Sequence, residues 1–122
     1  MRRDDSIRIR HMLDAVREAI SFAKNRTRKD LDNDRMLSLS IVKSIEIIGE
    51  AASKVTDETK NECSEIPWAN IIAMRNRLIY AYFDIDLDRV WDTIVDDIPS
   101  LIDTLEKLIS SEELLQKMKG QG

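Results

Sequence analysis

Apolar residues recur along this chain at intervals of three and four, the spacing that lines one face of an α-helix. Ile9, Leu13, Val16 and Ile20 form such a stripe, and Met12, Ala15 and Ala19 widen it, so a first helix is predicted from Asp5 to about Ala23. Asp4, Asp5 and Ser6 suit its N-terminus, where acids and a side-chain acceptor satisfy free amides. Lys24 to Arg35 is polar and reads as a connector with room for one short helical turn. From about Asp34 to Val55 the pattern changes. Met36, Leu37, Leu39, Ile41, Val42, Ile45, Ile47, Ile48, Ala51, Ala52 and Val55 cover nearly the whole circumference of a second helix. A helix that is apolar all round is buried all round, so this one is either central in a bundle or shared with a second subunit. Gly49, in its middle, costs about 1 kcal/mol relative to Ala and points to a close helix approach there.

Beyond it, Thr56 is placed to cap a short extra helix, and Pro67 suits the first position of a third main helix, where a missing amide does no harm. Asp84 or Asp86 caps a fourth, whose stripe runs from Leu87 and Val90 to Leu108 and Ile109. Pro99 falls inside that stripe, and the periodicity resumes after it, which predicts a kink rather than a stop. Ser110-Ser111-Glu112-Glu113 has the form of a capping box opening a short C-terminal helix that ends at Gly120. There is no repeat and no low-complexity segment. The expected architecture is all-α: an antiparallel bundle of four to five helices in a single domain, residues 1–122, dimerising through its helices.

Composition agrees with this. Of 122 residues, 43% are hydrophobic and 34% charged, with only three Gly and two Pro. Sheet and loop-rich folds need more turn residues than that. Cys63 stands alone, which excludes an internal disulfide framework, and no spaced Cys or His partner marks it as a metal ligand or nucleophile. No apolar run approaches the roughly 20 residues of a membrane span, and Met1-Arg2-Arg3-Asp4-Asp5 leads into no signal-type apolar core, so a soluble, cytoplasmic protein is expected. The net charge of -4 hides an asymmetry: up to Lys29 there are nine Lys/Arg against four acids. A solvated helix face with a polar loop explains this more simply than a phosphate-attracting patch, although clustered Lys/Arg are what nucleic-acid binding needs.

Candidate chemistry is sparse outside one stretch. His11, the only histidine, has no Ser, Cys or acidic partner at a helical spacing that defines a base, and reads as a surface or interface residue. Asp30-Leu31-Asp32-Asn33-Asp34 begins like a calcium loop, but Arg35 and Ile41 occupy the places of its Gly and Glu, so its acids are better read as helix caps. Glu46 and Glu50 lie one turn apart, and Lys43 and Lys54 stand where ordinary helix-surface ion pairs form. Nothing calls for a metal or a cofactor. The exception is Met74 to Asp86, which gathers two arginines, an amide, two tyrosines and two carboxylates. In a regular helix Asn76 and Tyr80 share a face, as do Arg77 and Tyr80, whereas Arg75 and Tyr80 diverge by roughly 140°. Arginine makes bidentate bonds to phosphate and stabilises a developing pentavalent anion. Such a set suits RNA cleavage by the neighbouring 2′-hydroxyl; pairing of the arginines with Asp84, Asp86 or Asp88 is the plainer alternative.

The stretch Arg75-Asn76-Arg77-Leu78-Ile79-Tyr80-Ala81-Tyr82 closely resembles the signature of HEPN-superfamily toxins of the HepT type, in which Arg is followed after four residues by His and, one residue on, by Tyr. The likeness extends to Asp5-Ser6-Ile7-Arg8, Glu46-Ile47-Ile48-Gly49-Glu50-Ala51-Ala52, Ile66-Pro67-Trp68 and Val90-Trp91. It implies a HEPN-like all-α homodimer, or higher even oligomer, whose paired motifs line a cleft and act as a metal-independent ribonuclease on cellular RNA. In that reading Arg75 and Arg77 contact the RNA phosphate, and Asn76 orients the site beside position 80. The resemblance also implies a cognate MNT-family nucleotidyltransferase antitoxin that AMPylates Tyr82.

One position departs from the pattern. Where the family has His, this chain has Tyr80. Histidine, near pKa 6.5, exchanges protons at neutral pH, whereas a tyrosine near pKa 10 is a poor base. Proton transfer typically contributes about 100- to 10,000-fold, so activity is expected to be reduced or absent while fold and RNA binding survive, which leaves a catalytically inactive bundle that binds RNA or the antitoxin as the alternative. Tyr80 also places a second phenol two residues from the expected AMPylation target.

Overall fold

The most apolar segment of the chain forms the middle helix of the fold. In the computed structural model, which describes residues 1–80 and 85–120 and leaves aside the side chains of Ile79 and Tyr80, all regular structure is helical. Helix α1 (Arg3–Ala23) leads through a short α2 (Arg28–Asn33) into α3 (Arg35–Lys54). A short α4 (Asp57–Glu62) precedes α5 (Trp68–Tyr80). The chain then continues as α6 (Leu87–Asp92), a π-helical stretch (Thr93–Asp97) and α7 (Ile98–Gly120). Helix α3 packs between α1 and α5, and α7 lies along the other side of α1. The core sits where these helices meet: Ile9, Met12 and Val16 from α1, Ile41, Ile45 and Ile48 from α3, and Ile98 and Leu105 from α7 are essentially inaccessible. Each such side chain contributes about 1.5–3 kcal/mol of transfer free energy.

Local signals account for most boundaries. Asp34 caps α3, its carboxylate accepting the Leu37 amide at 3.1 Å. Asp30 turns back to the Thr27 amide at 2.7 Å and fixes the start of α2. Thr56 caps α4, and Asp86 caps α6 through the Arg89 amide at 3.2 Å. At Pro99 the helix does not stop. Proline has no amide to close the ladder onto the preceding turn. The backbone meets this by widening one turn earlier, where the Ile98 amide reaches five residues back to the Thr93 carbonyl. π-Helical turns commonly absorb such a mismatch.

Two expectations are corrected. No new helix opens at Ser110: α7 runs unbroken to Gly120, because neither serine breaks the ladder and propagation costs less than a second nucleation. Helix α3 is central, and in the single chain Met36, Leu39 and Ile47 stay 80%, 46% and 37% exposed along one strip. Asp5 does not serve its own helix end. Its carboxylate, fully buried, accepts the Thr56 amide at 3.0 Å and the hydroxyls of Thr56 and Thr59 at 2.6 Å each. This clasp ties the start of α1 to the end of α3 and sets their antiparallel register. Cys63 is buried beside Trp68, whose indole donates to the Cys63 carbonyl at 3.0 Å. Burial, with Glu65 and Glu62 nearby, pushes its thiol up, away from reactive thiolate.

Burial alone raises the Asp5 pKa, but the hydrogen bonds from Thr56 and Thr59 and the charge of Arg2 outweigh it and hold the carboxyl below its ordinary value. A group whose pKa is depressed by folding stabilises fully above its unfolded value, about 3.9, and loses that contribution as pH falls through the folded value. Asp5→Asn is therefore expected to lower unfolding free energy by about 2–3 kcal/mol at neutral pH, from lost charge-assisted hydrogen bonds. Urea titrations of the two proteins check this, and their gap should begin to narrow as pH falls below about 3.9.

Candidate functional site

Arg75, Asn76 and Arg77 lie on successive positions of α5 and so point in different directions. Arg75 faces α3, and what brings it there is Gly49. A Cβ at position 49 would collide with the Cβ of Arg75, and would stand 2.6 Å from its Cγ and 3.3 Å from the Ile71 carbonyl oxygen. The two helices thus touch backbone to side chain, and the Arg75 stem lies across the glycine. Its side chain is only 20% exposed, and the guanidinium is anchored by Nη1 on Glu50 Oε2 at 2.7 Å. Glu50 Oε1 also meets Lys54 Nζ at 3.4 Å, and Glu46 pairs with Lys43 at 3.7 Å. The helix-surface pairs expected of these carboxylates are present, but Glu50 has the further task of orienting Arg75. Arg75 Nε, which is buried, has no acceptor among the described residues, so the guanidinium is held from one end.

This pair forms one wall of an open groove of about 660 Å³. Helix α3 supplies the floor with Lys43, Ile47, Ala51 and Lys54, and α1 the opposite wall with Asp4, Ile7, Arg8 and His11. Four permanent cations face three carboxylates in the groove, although the chain as a whole carries a net charge of -4. Lys43, Lys54 and Arg75 are each paired with one of those carboxylates, and the remaining excess of one positive charge favours an anionic ligand over a cationic one. Asn76 and Arg77 are exposed. Arg77 opens instead on a smaller cavity of about 160 Å³, with Asp86 and Arg89 among its walls, so the two arginines expected on one phosphate line different cavities. Tyr80 ends α5, its side chain lies outside the described residues, and so does Tyr82.

The remaining basic residues of the N-terminal segment are largely spent on the fold. Arg10 pairs with Glu113, Arg17 with Glu106, Arg26 with Asp34, and Arg28 with Asp32 and Asp88. The solvated-face reading holds for them; Arg8 is the one that joins the groove. Among the described residues no three His, Cys, Asp or Glu side chains converge as a metal site would, and no helix is long and apolar enough to cross a membrane.

A family model described as Ribonuclease HepT-like matches residues 12–108, a span that includes α3, α5 and the motif. The chain belongs to the HepT-like ribonuclease family. Among its relatives, a protein of Thermococcus cleftensis named probable ribonuclease HepT is 37% identical over 100 residues, covering 79% of this chain and 91% of that one. A candidate RNase of Caldanaerobacter subterraneus is 35% identical over 111 residues, covering 91% and 94%. A Methanocaldococcus jannaschii protein, named as a gamma-glutamylcyclotransferase and candidate RNase, is 33% identical over 93% of this chain, which spans only 50% of that relative. No solved structure matches.

Two features of this HepT-like site escape a reading of the sequence. The Glu50–Arg75 bond joins positions 25 residues apart, and its only linear trace is Gly49 beside Glu50. His11 enters the groove because of where α1 is clasped, which no spacing along α1 reveals. Gly49→Ala tests the close approach: despite the higher helix propensity of Ala, the collision should lower stability by about 1–3 kcal/mol. Thermal unfolding measures that loss, and Arg75 should be displaced from Glu50.

Proposed function

We propose that this protein is the toxin of a HEPN–MNT pair, an endoribonuclease that cleaves cellular RNA in the cytoplasm by attack of the neighbouring 2′-hydroxyl. The observation that carries this reading is a family arginine, Arg75, held by Glu50 at the edge of a groove in which cations outnumber carboxylates four to three. A guanidinium so oriented suits the scissile phosphate, where fixed donors stabilise the charge that develops in the transition state and no metal is required of the protein. Asn76 orients the reacting groups, position 80 is the family's proton-transfer position, and Arg77 contacts RNA phosphate from the neighbouring cavity.

A homodimer that sets two motifs across one cleft fits the uncovered apolar strip of α3, since Met36, Leu39 and Ile47 face solvent in a single chain. Regulation follows by the family's route: an MNT nucleotidyltransferase antitoxin transfers AMP to Tyr82. The added phosphate and nucleoside place negative charge and bulk where RNA must lie. Tyr80 in place of His favours a second reading, a bundle that binds RNA or the antitoxin without cutting, because a phenol near pKa 10 is a poor proton acceptor at neutral pH.

Cleavage of cellular RNA by purified, unmodified protein separates the two. Tyr80→His should raise cleavage and toxicity, and Arg75→Ala should abolish both. RNA binding that weakens with salt, without cutting by either the parent or Tyr80→His, would establish the binding bundle instead.

A further inference from the structure

The chain has one histidine, and the structure puts it in the same groove as Arg75. Asp5 is clasped to Thr56, just past the end of α3, and α1 and α3 run antiparallel from there. His11 lies six residues on from Asp5, Glu50 six residues before Thr56, and both line the groove. Glu50 is bonded to Arg75, and Gly49 packs under that arginine. Three helices therefore contribute His11, Glu50 and Arg75 to one groove. His11 is exposed to the groove rather than committed to the core, which its neighbours Met12 and Leu13 enter. The charged groups that share the groove with it are Asp4 and Arg8 on its own helix, Lys43, Glu46, Glu50 and Lys54 on α3, and Arg75 on α5.

We infer that His11 is the proton acceptor of the reaction in this protein, supplying from α1 what Tyr80 lacks on α5. The inference rests on the ribonuclease reading and adds a catalytic residue to it. With the scissile phosphate seated on Arg75, the imidazole takes the proton from the 2′-hydroxyl as O2′ attacks phosphorus. The O2′–P bond forms, the P–O5′ bond breaks, and O5′ departs with a proton from water. The products are a 2′,3′-cyclic phosphate and a 5′-hydroxyl. Imidazole is suited to this step because a ring nitrogen can accept the hydroxyl proton and later give it up.

The test compares four full-length proteins, the parent, His11→Ala, Tyr80→His and the double variant, on a synthetic RNA of mixed sequence. Cleavage is measured with and without added imidazole, and RNA binding by fluorescence anisotropy. We expect His11→Ala to cleave about 100- to 10,000-fold more slowly than the parent while binding RNA as well as the parent does. Added imidazole should restore part of the rate, and so should Tyr80→His in the double variant, because each supplies an imidazole for the same proton transfer. Cleavage by His11→Ala at the parental rate would overturn the inference. So would a loss that neither imidazole nor Tyr80→His repairs, which marks a merely structural residue. A parent that cuts nothing while Tyr80→His cuts would also overturn it, yet leave the ribonuclease reading standing. If neither the parent nor Tyr80→His cuts, the ribonuclease reading itself falls.

Discussion

The approach of α5 to α3 at Gly49 governs the geometry of the whole site. The missing Cβ at that position lets the stem of Arg75 cross the helix, and the next residue, Glu50, receives the guanidinium. Any larger side chain at 49 would push α5 outward and carry Arg75 away from its carboxylate. Because α3 also packs against α1, the same helix that positions Arg75 forms the floor between it and His11. A long, free arginine has many rotamers, and ordering it costs up to about 2 kcal/mol. Folding meets that cost in advance through Glu50 and the glycine contact, so a bound phosphate need not.

The charge distribution follows the same division between fold and site. Most N-terminal arginines are tied to acids elsewhere on the surface, which lets an acidic protein keep a groove of slight positive excess without presenting a broad positive face. Exposed pairs of this sort contribute little stability each, with a median of about 0–1 kcal/mol, and their effect here is to neutralise. The Asp5 clasp differs in kind. It is buried and fully hydrogen-bonded, and it couples two chain segments 51 residues apart.

Helices α1, α3 and α5, the caps at Asp34, Thr56 and Asp86, and the resemblance to a ribonuclease family are all legible along the chain, because each is written in residues a few positions apart. The C-terminal helix was less so. Ser110 and Glu113 have the form of a capping box, yet a helix already running past Pro99 by a π-helical turn has no reason to restart there. The apolar circumference of α3 left open a helix central in the bundle or shared with a second subunit, and did not tell that Met36, Leu39 and Ile47 would be the uncovered ones in a single chain, since that depends on which neighbours reach which side.

Sequence by itself determined the helical class, the element order, the motif on α5 and the change from His to Tyr at position 80. Periodicity, caps and residue identity are local properties, and a linear reading captures them. Only the tertiary structure decided that Arg75 and Arg77 line separate cavities, that Glu50 orients Arg75, and that the sole histidine, on the first helix, stands in the groove of the third and fifth. Those facts depend on register between helices. Register is set by contacts such as Asp5 with Thr56 and Gly49 with Arg75, which join residues dozens of positions apart and leave no periodic trace along the chain.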